Sequence, residues 1–127
     1  MKYLTGEQII LIHSIVIDET GGSHGIREHD IILSLENTPR QHVFGKELYP
    51  TIFLKAAVYT RHIIFYHPFL DGNKRSGMAS ASVFLENNGW KIFVKEGEIK
   101  TFALNIVAEK MEIEKIAAWF KKHSKKL

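Results

Sequence analysis

Apolar residues recur at helical spacing through most of the chain, and the first such segment has clear ends. Thr5 and Gln8 lie three residues apart, as the partners of a capping box do, so a helix is predicted to begin after Thr5. The run from Ile9 to Ile17 is largely apolar, which favours burial of this helix on more than one side. The pair Gly21-Gly22 is predicted to end it.

Five further helices are predicted from the same periodicity and from the positions of proline and glycine. Pro50 fits the first residue of a helix, where an N–H is not needed. Pro68 stops that helix, because the residue before a proline avoids helical geometry. The predicted ranges are Glu28 to Leu35, Pro50 to about Tyr66, Asn73 to Asn87, Glu98 to Met111 and Glu112 to Lys122. Together they indicate an all-α bundle of about six helices, crossed by a short extended segment from Trp90 to Val94.

The segment from Asn37 to Tyr49 contains Pro39 and Gly45 and has no sustained period, so an irregular connection is predicted. Its middle, His42-Val43-Phe44-Gly45, has two open interpretations: a short β-hairpin flap or an ordinary surface loop. In either case it is the longest break within the predicted fold, and long connections are often functional.

The composition indicates one domain, residues 1–127, with 45% hydrophobic and 24% charged residues, as in ordinary globular proteins. The chain has no Cys, which excludes a disulfide framework and a thiolate metal site and fits a reducing compartment. No signal peptide is visible, and no apolar stretch approaches the roughly 20 residues that span a bilayer. A cytoplasmic protein without a membrane partner is therefore expected.

The net charge of +3 comes from the C-terminal segment, residues 121–127. Without Lys121, Lys122, Lys125 and Lys126, the chain has 13 basic and 14 acidic residues. A charge run at a terminus is usually solvated and frayed. The tail is expected to be such an end, and no direct nucleic-acid partner is expected, because phosphate binding needs a patch on a folded face.

The chemically richest stretch begins at His67 and has the sequence His-Pro-Phe-Leu-Asp-Gly-Asn-Lys-Arg, between two predicted helices. His67 offers a base near neutral pH, and Asp71 offers a carboxylate for a metal ion or a hydroxyl proton. Gly72 allows positive φ, so successive backbone N–H groups can converge on one point. Asn73 opens a helix whose N-terminus favours an anion. The stretch therefore predicts a phosphate-binding loop with a base at its edge.

Taken singly, these residues have structural explanations: a lone His is often structural, an Asp before Gly often forms only a turn, and Asn is a common helix cap. Six such residues within nine positions make coincidence improbable.

The order His-Pro-Phe-x-Asp-Gly-Asn-x-Arg resembles the signature loop of the Fic/Doc superfamily. Most Fic members have Gly where this chain has Lys74, and a second Arg where it has Met78. The Asn-Lys-Arg version without the second Arg is similar to the Doc (death-on-curing) branch, the toxins of type II toxin–antitoxin pairs. Ala79 departs from one Doc pattern, in which an Asn follows the loop.

This resemblance implies ATP and Mg²⁺ as cofactors, with Asp71 as the metal ligand. It implies nucleotide binding by Gly72, Asn73, Lys74 and Arg75, and catalytic roles for His67, Asp71, Lys74 and Arg75. Phe69 is expected to point inward and hold the loop in place.

The Doc branch further implies phosphate transfer from ATP to a Ser or Thr hydroxyl of a target protein, by resemblance the translation factor EF-Tu, which would block translation. A separate antitoxin is implied, as a disordered segment that folds into the groove. Two alternatives stay open. Transfer of AMP is disfavoured by Lys74 and Met78, and a non-catalytic Fic-fold binding protein is disfavoured by the intact His67 and Asp71.

Overall fold

A computed structural model describes all residues from 1 to 127, and it has six α-helices and two small antiparallel sheets. The helices are α1 (Gly6–Thr20), α2 (His29–Ser34), α3 (Ile52–Tyr66), α4 (Asn73–Asn87), α5 (Glu98–Glu109) and α6 (Ile113–Lys122). The strands are β1 (His42–Val43), β2 (Lys46–Glu47), β3 (Trp90–Ile92) and β4 (Ser124–Lys126), and Thr38–Arg40 forms one 3₁₀ turn. The predicted six-helix bundle is confirmed. None of the helices is long and apolar enough to cross a membrane.

Both predicted ends of α1 are confirmed. The Thr5 hydroxyl accepts a hydrogen bond from the Gln8 N–H at 3.1 Å, and the Gln8 side chain accepts one from the Thr5 N–H at 2.8 Å. These two bonds satisfy two N–H groups that the helix itself leaves free. Gly21 ends the helix with a φ of 87°, a backbone conformation that favours glycine.

Helix α3 lies at the centre of the bundle and packs against α4 and α6. Its contact with α4 is close, because a Cβ on Gly77 would lie 3.0 Å from the Thr60 carbonyl oxygen. In the other direction, the Thr60 hydroxyl donates a hydrogen bond of 3.0 Å to the Gly77 carbonyl. This close packing fixes the two helices that flank the loop starting at His67.

The connection before α3 contains a hairpin, so the flap interpretation is confirmed. Strands β1 and β2 pair with His42 opposite Glu47 and Val43 opposite Lys46. Phe44 lies fully exposed at the tip. The predicted start of α3 at Pro50 is wrong by two residues, because Thr51 is the cap: its hydroxyl accepts the Leu54 N–H at 3.1 Å.

The C-terminal tail is not the frayed end that its charge suggests. Ser124–Lys126 forms strand β4, which pairs antiparallel with β3, and Lys125 lies directly opposite Lys91. The Leu127 N–H donates to the Gly89 carbonyl at 2.8 Å. The expectation failed because β3 leaves unpaired backbone groups beside the end of α6, and the tail satisfies them while its lysine side chains stay in water.

Candidate active site

His67 lies at the point where α3 ends and the chain turns. The helix stops at Tyr66, and His67 adopts a left-handed conformation with a φ of 48°, which Pro68 follows. Its ring is exposed, and its Nδ1 lies 3.1 Å from the Phe65 carbonyl oxygen. Since a carbonyl can only accept, Nδ1 carries the proton in the neutral ring. The Nε2 atom therefore keeps its lone pair, as a general base requires.

The Asp71 carboxylate is held by backbone N–H groups. One oxygen accepts the Ser23 N–H at 3.1 Å, and the other accepts the Gly72 N–H at 2.8 Å. The Arg75 guanidinium lies 3.9 Å from the second oxygen. The hydrogen bonds from Ser23 and then Gly72, helped by Arg75, lower the pKa of Asp71 below its ordinary value. The carboxylate is thus ionised at neutral pH, as a metal ligand must be.

Gly72 and Asn73 shape the turn into α4. Gly72 caps the helix with a φ of 73°, and a Cβ there would lie 2.8 Å from Cδ1 of Ile17. The Asn73 amide accepts from the Phe69 N–H at 3.1 Å and donates to the Phe69 carbonyl at 3.0 Å, so this side chain closes the loop. No side chain caps α4. The free N–H groups of its first turn therefore remain available to an anion.

The two cations of the loop have different surroundings. Lys74 is exposed and forms no ion pair. Arg75 instead reaches the end of α1, where its Nη1 donates to the Gly21 carbonyl at 3.0 Å and to the Thr20 hydroxyl. Lys74 is thus the freer of the two to meet a ligand, whereas Arg75 also joins the loop to α1.

A cleft of about 640 Å³ lies at the start of α4, with one wall formed by α5. Its lining residues are Thr20, Asp71, Gly72, Asn73, Lys74, Arg75, Met78, Ala79, Ser82, Ile99, Lys100, Ala103 and Leu104. The structure therefore brings together all the sequence-predicted site residues except His67, which lies at the other end of the same short loop. Met78 is only 3% exposed and presents a thioether where a phosphate-binding Arg would stand in a Fic-type loop.

A family model decides the relationship that the loop suggests: the Fic/DOC family matches residues 3–85. The chain belongs to the Fic/Doc family. It is similar to "Toxin Doc" of Mycolicibacterium smegmatis, with 32% identity over 88 residues, which cover 69% of this chain and 65% of that protein. It is also similar to "Protein kinase doc" of Escherichia phage P1, with 28% identity over 93 residues, which cover 73% of each chain. The resemblance to the Doc branch is confirmed.

His13 is part of this Fic/Doc site, although the sequence did not single it out. Its ring stacks on Phe69 with centroids 3.8 Å apart, and its Nε2 lies 2.7 Å from the Asp71 carbonyl oxygen. Burial lowers the pKa of His13 below its ordinary value, so the ring is neutral at neutral pH. The remaining proton is on Nε2, because the Asp71 carbonyl can only accept a hydrogen bond. The available signal was the spacing of Ile9, His13 and Ile17, which puts a histidine within a buried helix face. Phe69 points inward, as expected.

The segment from Gly22 to Glu28 holds the Fic/Doc loop from its other side. The N–H groups of Arg27 and Glu28 both donate to the Pro68 carbonyl, at 2.7 and 2.9 Å, and the Leu70 N–H donates to the Gly25 carbonyl at 3.1 Å. These contacts join segments about 40 residues apart in the chain. Periodicity carries no information on such contacts, and for that reason Ser23 was also missed as a partner of Asp71.

Proposed function

We propose that this chain is a Doc-like toxin that transfers a phosphate from ATP to a Ser or Thr hydroxyl of a target protein. The observation that carries the proposal is the meeting of three groups in one cleft: the ionised Asp71 carboxylate, the unpaired Lys74 ammonium and the uncapped N-terminus of α4. Exposed His67, with its lone pair on Nε2, begins the same loop.

ATP would be bound by its phosphates at this cleft. The N–H groups of the first turn of α4 and the Lys74 side chain supply donors and positive charge there. Gly72 and Asn73 shape the turn, because the Gly72 N–H and the Asn73 side chain are already engaged within the loop. Arg75 would add positive charge from its place beside Thr20 and Gly21.

Asp71 is the residue that fits a magnesium ion. In nucleotide sites Mg²⁺ is held by one or two carboxylates together with the phosphates of the substrate. No group of three or more His, Cys, Asp or Glu side chains is placed to form a site from protein alone. A part-exposed, ionised Asp71 fits the shared arrangement. When bound, the ion would supply charge neutralisation at the phosphates.

In the proposed reaction the target hydroxyl oxygen attacks the γ-phosphorus of ATP. The bond from this phosphorus to the bridging oxygen breaks, and ADP leaves. His67 Nε2 accepts the hydroxyl proton, a step that typically contributes about 10²–10⁴-fold. Positioning and charge stabilisation supply most of the remaining rate in phosphoryl transfer, so a short loop anchored by His13 and by Gly22–Glu28 is suited to it.

Two residues, Lys74 and Met78, favour transfer of the γ-phosphate over transfer of AMP. Lys74 puts a long side chain where most Fic loops have Gly, and buried Met78 offers no donor to outer phosphates. A nucleotide seated as in AMP-transferring Fic enzymes would lose one anchor and meet added bulk. The name "Protein kinase doc" of the phage P1 relative supports the same choice.

The biological setting is proposed from the Doc relationship. The target would be EF-Tu, whose modification would stop translation, and the name "Toxin Doc" of the first relative supports a toxic role. An antitoxin would then be needed. A disordered antitoxin segment could fold onto the cleft, where Ile99 and Leu104 of α5 are exposed apolar residues that would be covered.

The test is to incubate the protein with purified EF-Tu and ATP labelled at either the γ- or the α-phosphate. We expect γ-label on EF-Tu with the wild type, no label with His67→Ala, and normal labelling with the exposed control His29→Ala. An α-label would instead show AMP transfer. If the protein binds EF-Tu but transfers neither label to it, the protein is a non-catalytic binding protein. Expression without antitoxin should arrest translation for the wild type but not for His67→Ala.

A further inference from the structure

The solvent side of the β3–β4 ribbon carries two lysines around an exposed aromatic ring. Trp90 and Ile92 pack against the core, and the alternate positions, Lys91 and Phe93, are exposed to water. Lys125 lies directly opposite Lys91 and therefore shares its side of the ribbon. The Phe93 side chain is 51% exposed. Lys91, Phe93 and Lys125 together form what we call the outer face of the ribbon.

The outer face and its flanks carry positive charge that no acidic residue compensates. Residues 90–95 and 121–127 contain six lysines and no Asp or Glu, and none of the six forms an ion pair. Like charges directly opposite each other in a sheet are destabilising. Both ammonium groups lie near the Phe93 ring, with Nζ of Lys125 5.3 Å and Nζ of Lys91 6.0 Å from its centroid. A negatively charged ligand beside this ring would relieve the repulsion.

Protection of the strand edges explains only part of this arrangement. Lysines on edge strands prevent pairing with other chains. That role needs neither two lysines opposite each other nor a half-exposed aromatic ring, which itself favours association. The backbone of Phe93 is also fixed, because its N–H donates to the His123 carbonyl at 2.7 Å. The ring is thus presented to solvent from a defined position.

We propose that the outer face of the ribbon binds single-stranded RNA. An aromatic ring on a sheet surface can stack an unpaired base while lysines beside it hold the phosphates. Duplex DNA offers no unpaired base to such a ring, whereas RNA does so in its loops and at its ends. The sequence predicts no nucleic-acid partner because a frayed tail provides no patch on a folded face. That reason no longer holds, since the tail folds into β4.

A bilayer fits the outer face less well than RNA does. Segments that lie on a membrane surface need a continuous apolar face. Here the two exposed apolar side chains, Phe93 and Leu127, belong to opposite ends of the ribbon, and the pair formed by Lys91 and Lys125 lies between them. Stacking of a base needs only one ring, so the observed pattern favours RNA.

The outer face is far from the cleft at the start of α4. Helix α4 has 15 residues and ends at Asn87, shortly before β3. At 1.5 Å per residue the helix is about 22 Å long. RNA on the ribbon would therefore leave the cleft open, and this inference is independent of the proposed phosphate transfer.

The test is fluorescence anisotropy with a labelled oligouridine RNA of about 12 nucleotides. We expect the wild-type Kd to rise about tenfold or more between about 50 and 200 mM KCl. Phe93→Ala should weaken binding about fivefold or more through loss of one base stack, and Phe93→Tyr should retain it. Lys125→Met should weaken binding and reduce its salt dependence. Two control variants, Lys46→Met on the exposed strand β2 and Lys74→Met in the cleft, should bind like the wild type.

Several outcomes would overturn the proposal. The wild type may bind no RNA at the lower salt concentration, or Phe93→Ala may bind with unchanged affinity. Equal binding of a duplex RNA of the same length would show that no base is stacked, and a loss in Lys74→Met would put the RNA in the cleft. Binding of phosphatidylglycerol vesicles without binding of the RNA would make the outer face a membrane surface. Circular dichroism checks the fold of each variant, and Phe93→Leu, which keeps an apolar side chain without a ring, replaces Phe93→Ala if the latter does not fold.

Discussion

His13 lies flat against Phe69, with ring centroids 3.8 Å apart and planes within 1°, and donates its Nε2–H to the Asp71 carbonyl. One buried side chain thus supports both the residue that anchors the Fic/Doc loop and the residue that fits a metal ion. The contact links α1 to the loop, and the two bonded partners are 58 positions apart in the chain.

Replacing His13 by Phe should keep the ring stack on Phe69 and remove the hydrogen bond to the Asp71 carbonyl. The second ring keeps the packing but leaves the Asp71 carbonyl without its donor, so we expect a loss of about 1–3 kcal/mol in the free energy of unfolding. Urea denaturation measures it, and His29→Phe, at an exposed position, is the control. Equal stability of His13→Phe and wild type would show that this bond contributes nothing net.

Gly22→Ala should displace the Asp71 carboxylate. A Cβ at Gly22 would lie 2.6 Å from Oδ2 of Asp71, at a φ of 112°. Gly21→Ala is a matched control, because its φ of 87° imposes similar backbone strain but nothing lies within 4 Å of the added Cβ.

Backbone strain should cost each alanine variant about 1–2 kcal/mol of stability. Gly22→Ala should lose more than Gly21→Ala, because its Cβ also displaces the hydrogen-bonded Asp71 carboxylate. Only Gly22→Ala should strongly reduce the proposed phosphate transfer to EF-Tu, by about tenfold or more, because a displacement of about 1 Å at the reacting centre is costly. If both variants retain the same activity, the position of Asp71 is not critical.

Lys74→Met should reduce kcat/KM by about 10²-fold, the cost of removing one donor to developing charge. Because Lys74 is exposed and unpaired, the melting temperature of the Lys74→Met protein should stay at the wild-type value. Steady-state labelling from γ-labelled ATP measures kcat/KM, and calorimetry measures the melting temperature. Lys95→Met, another exposed lysine, is the control. An active Lys74→Met would remove this lysine from the proposed phosphate site.

His62 should make stability depend on pH. Burial lowers its pKa below the ordinary value of 6.5, although its Nδ1–H donates to the Val58 carbonyl at 3.0 Å. The unfolded chain therefore takes up this proton at a higher pH than the folded chain. Stability is complete above pH 6.5 and falls as the pH drops towards the lowered pKa, by at most about 1.4 kcal/mol per pH unit.

Urea unfolding of wild type and His62→Gln between about pH 5 and pH 8 checks this slope. We expect the variant to lose less stability than the wild type on acidification. His29→Gln should behave like the wild type. Parallel pH profiles for all three proteins would show that His62 titrates alike in the folded and unfolded states.

The parts of the fold that sequence predicted well are those set by neighbours in the chain. Helix α4 runs from Asn73 to Asn87 as predicted, because Gly72 and Gly89 bound it locally. The loop residues were also found, since their chemistry is concentrated within nine positions. The role of His13 and the pairing of β4 with β3 could not be found in this way. Each depends on a contact with a segment far along the chain, and such contacts produce no hydrophobic periodicity or local motif in the sequence.

The hydrogen bonds from Arg27 and Glu28 to the Pro68 carbonyl also bear on the order of events during synthesis. The N-terminal segment leaves the ribosome first, but it cannot close over the loop until the chain has grown past Pro68. Long-range contacts of this kind form slowly, because the intervening chain must be ordered first. A nascent or truncated chain can therefore contain every residue of the loop and still lack its working shape. The proposed activity should therefore arrive with completed tertiary folding, and not with the synthesis of the loop itself.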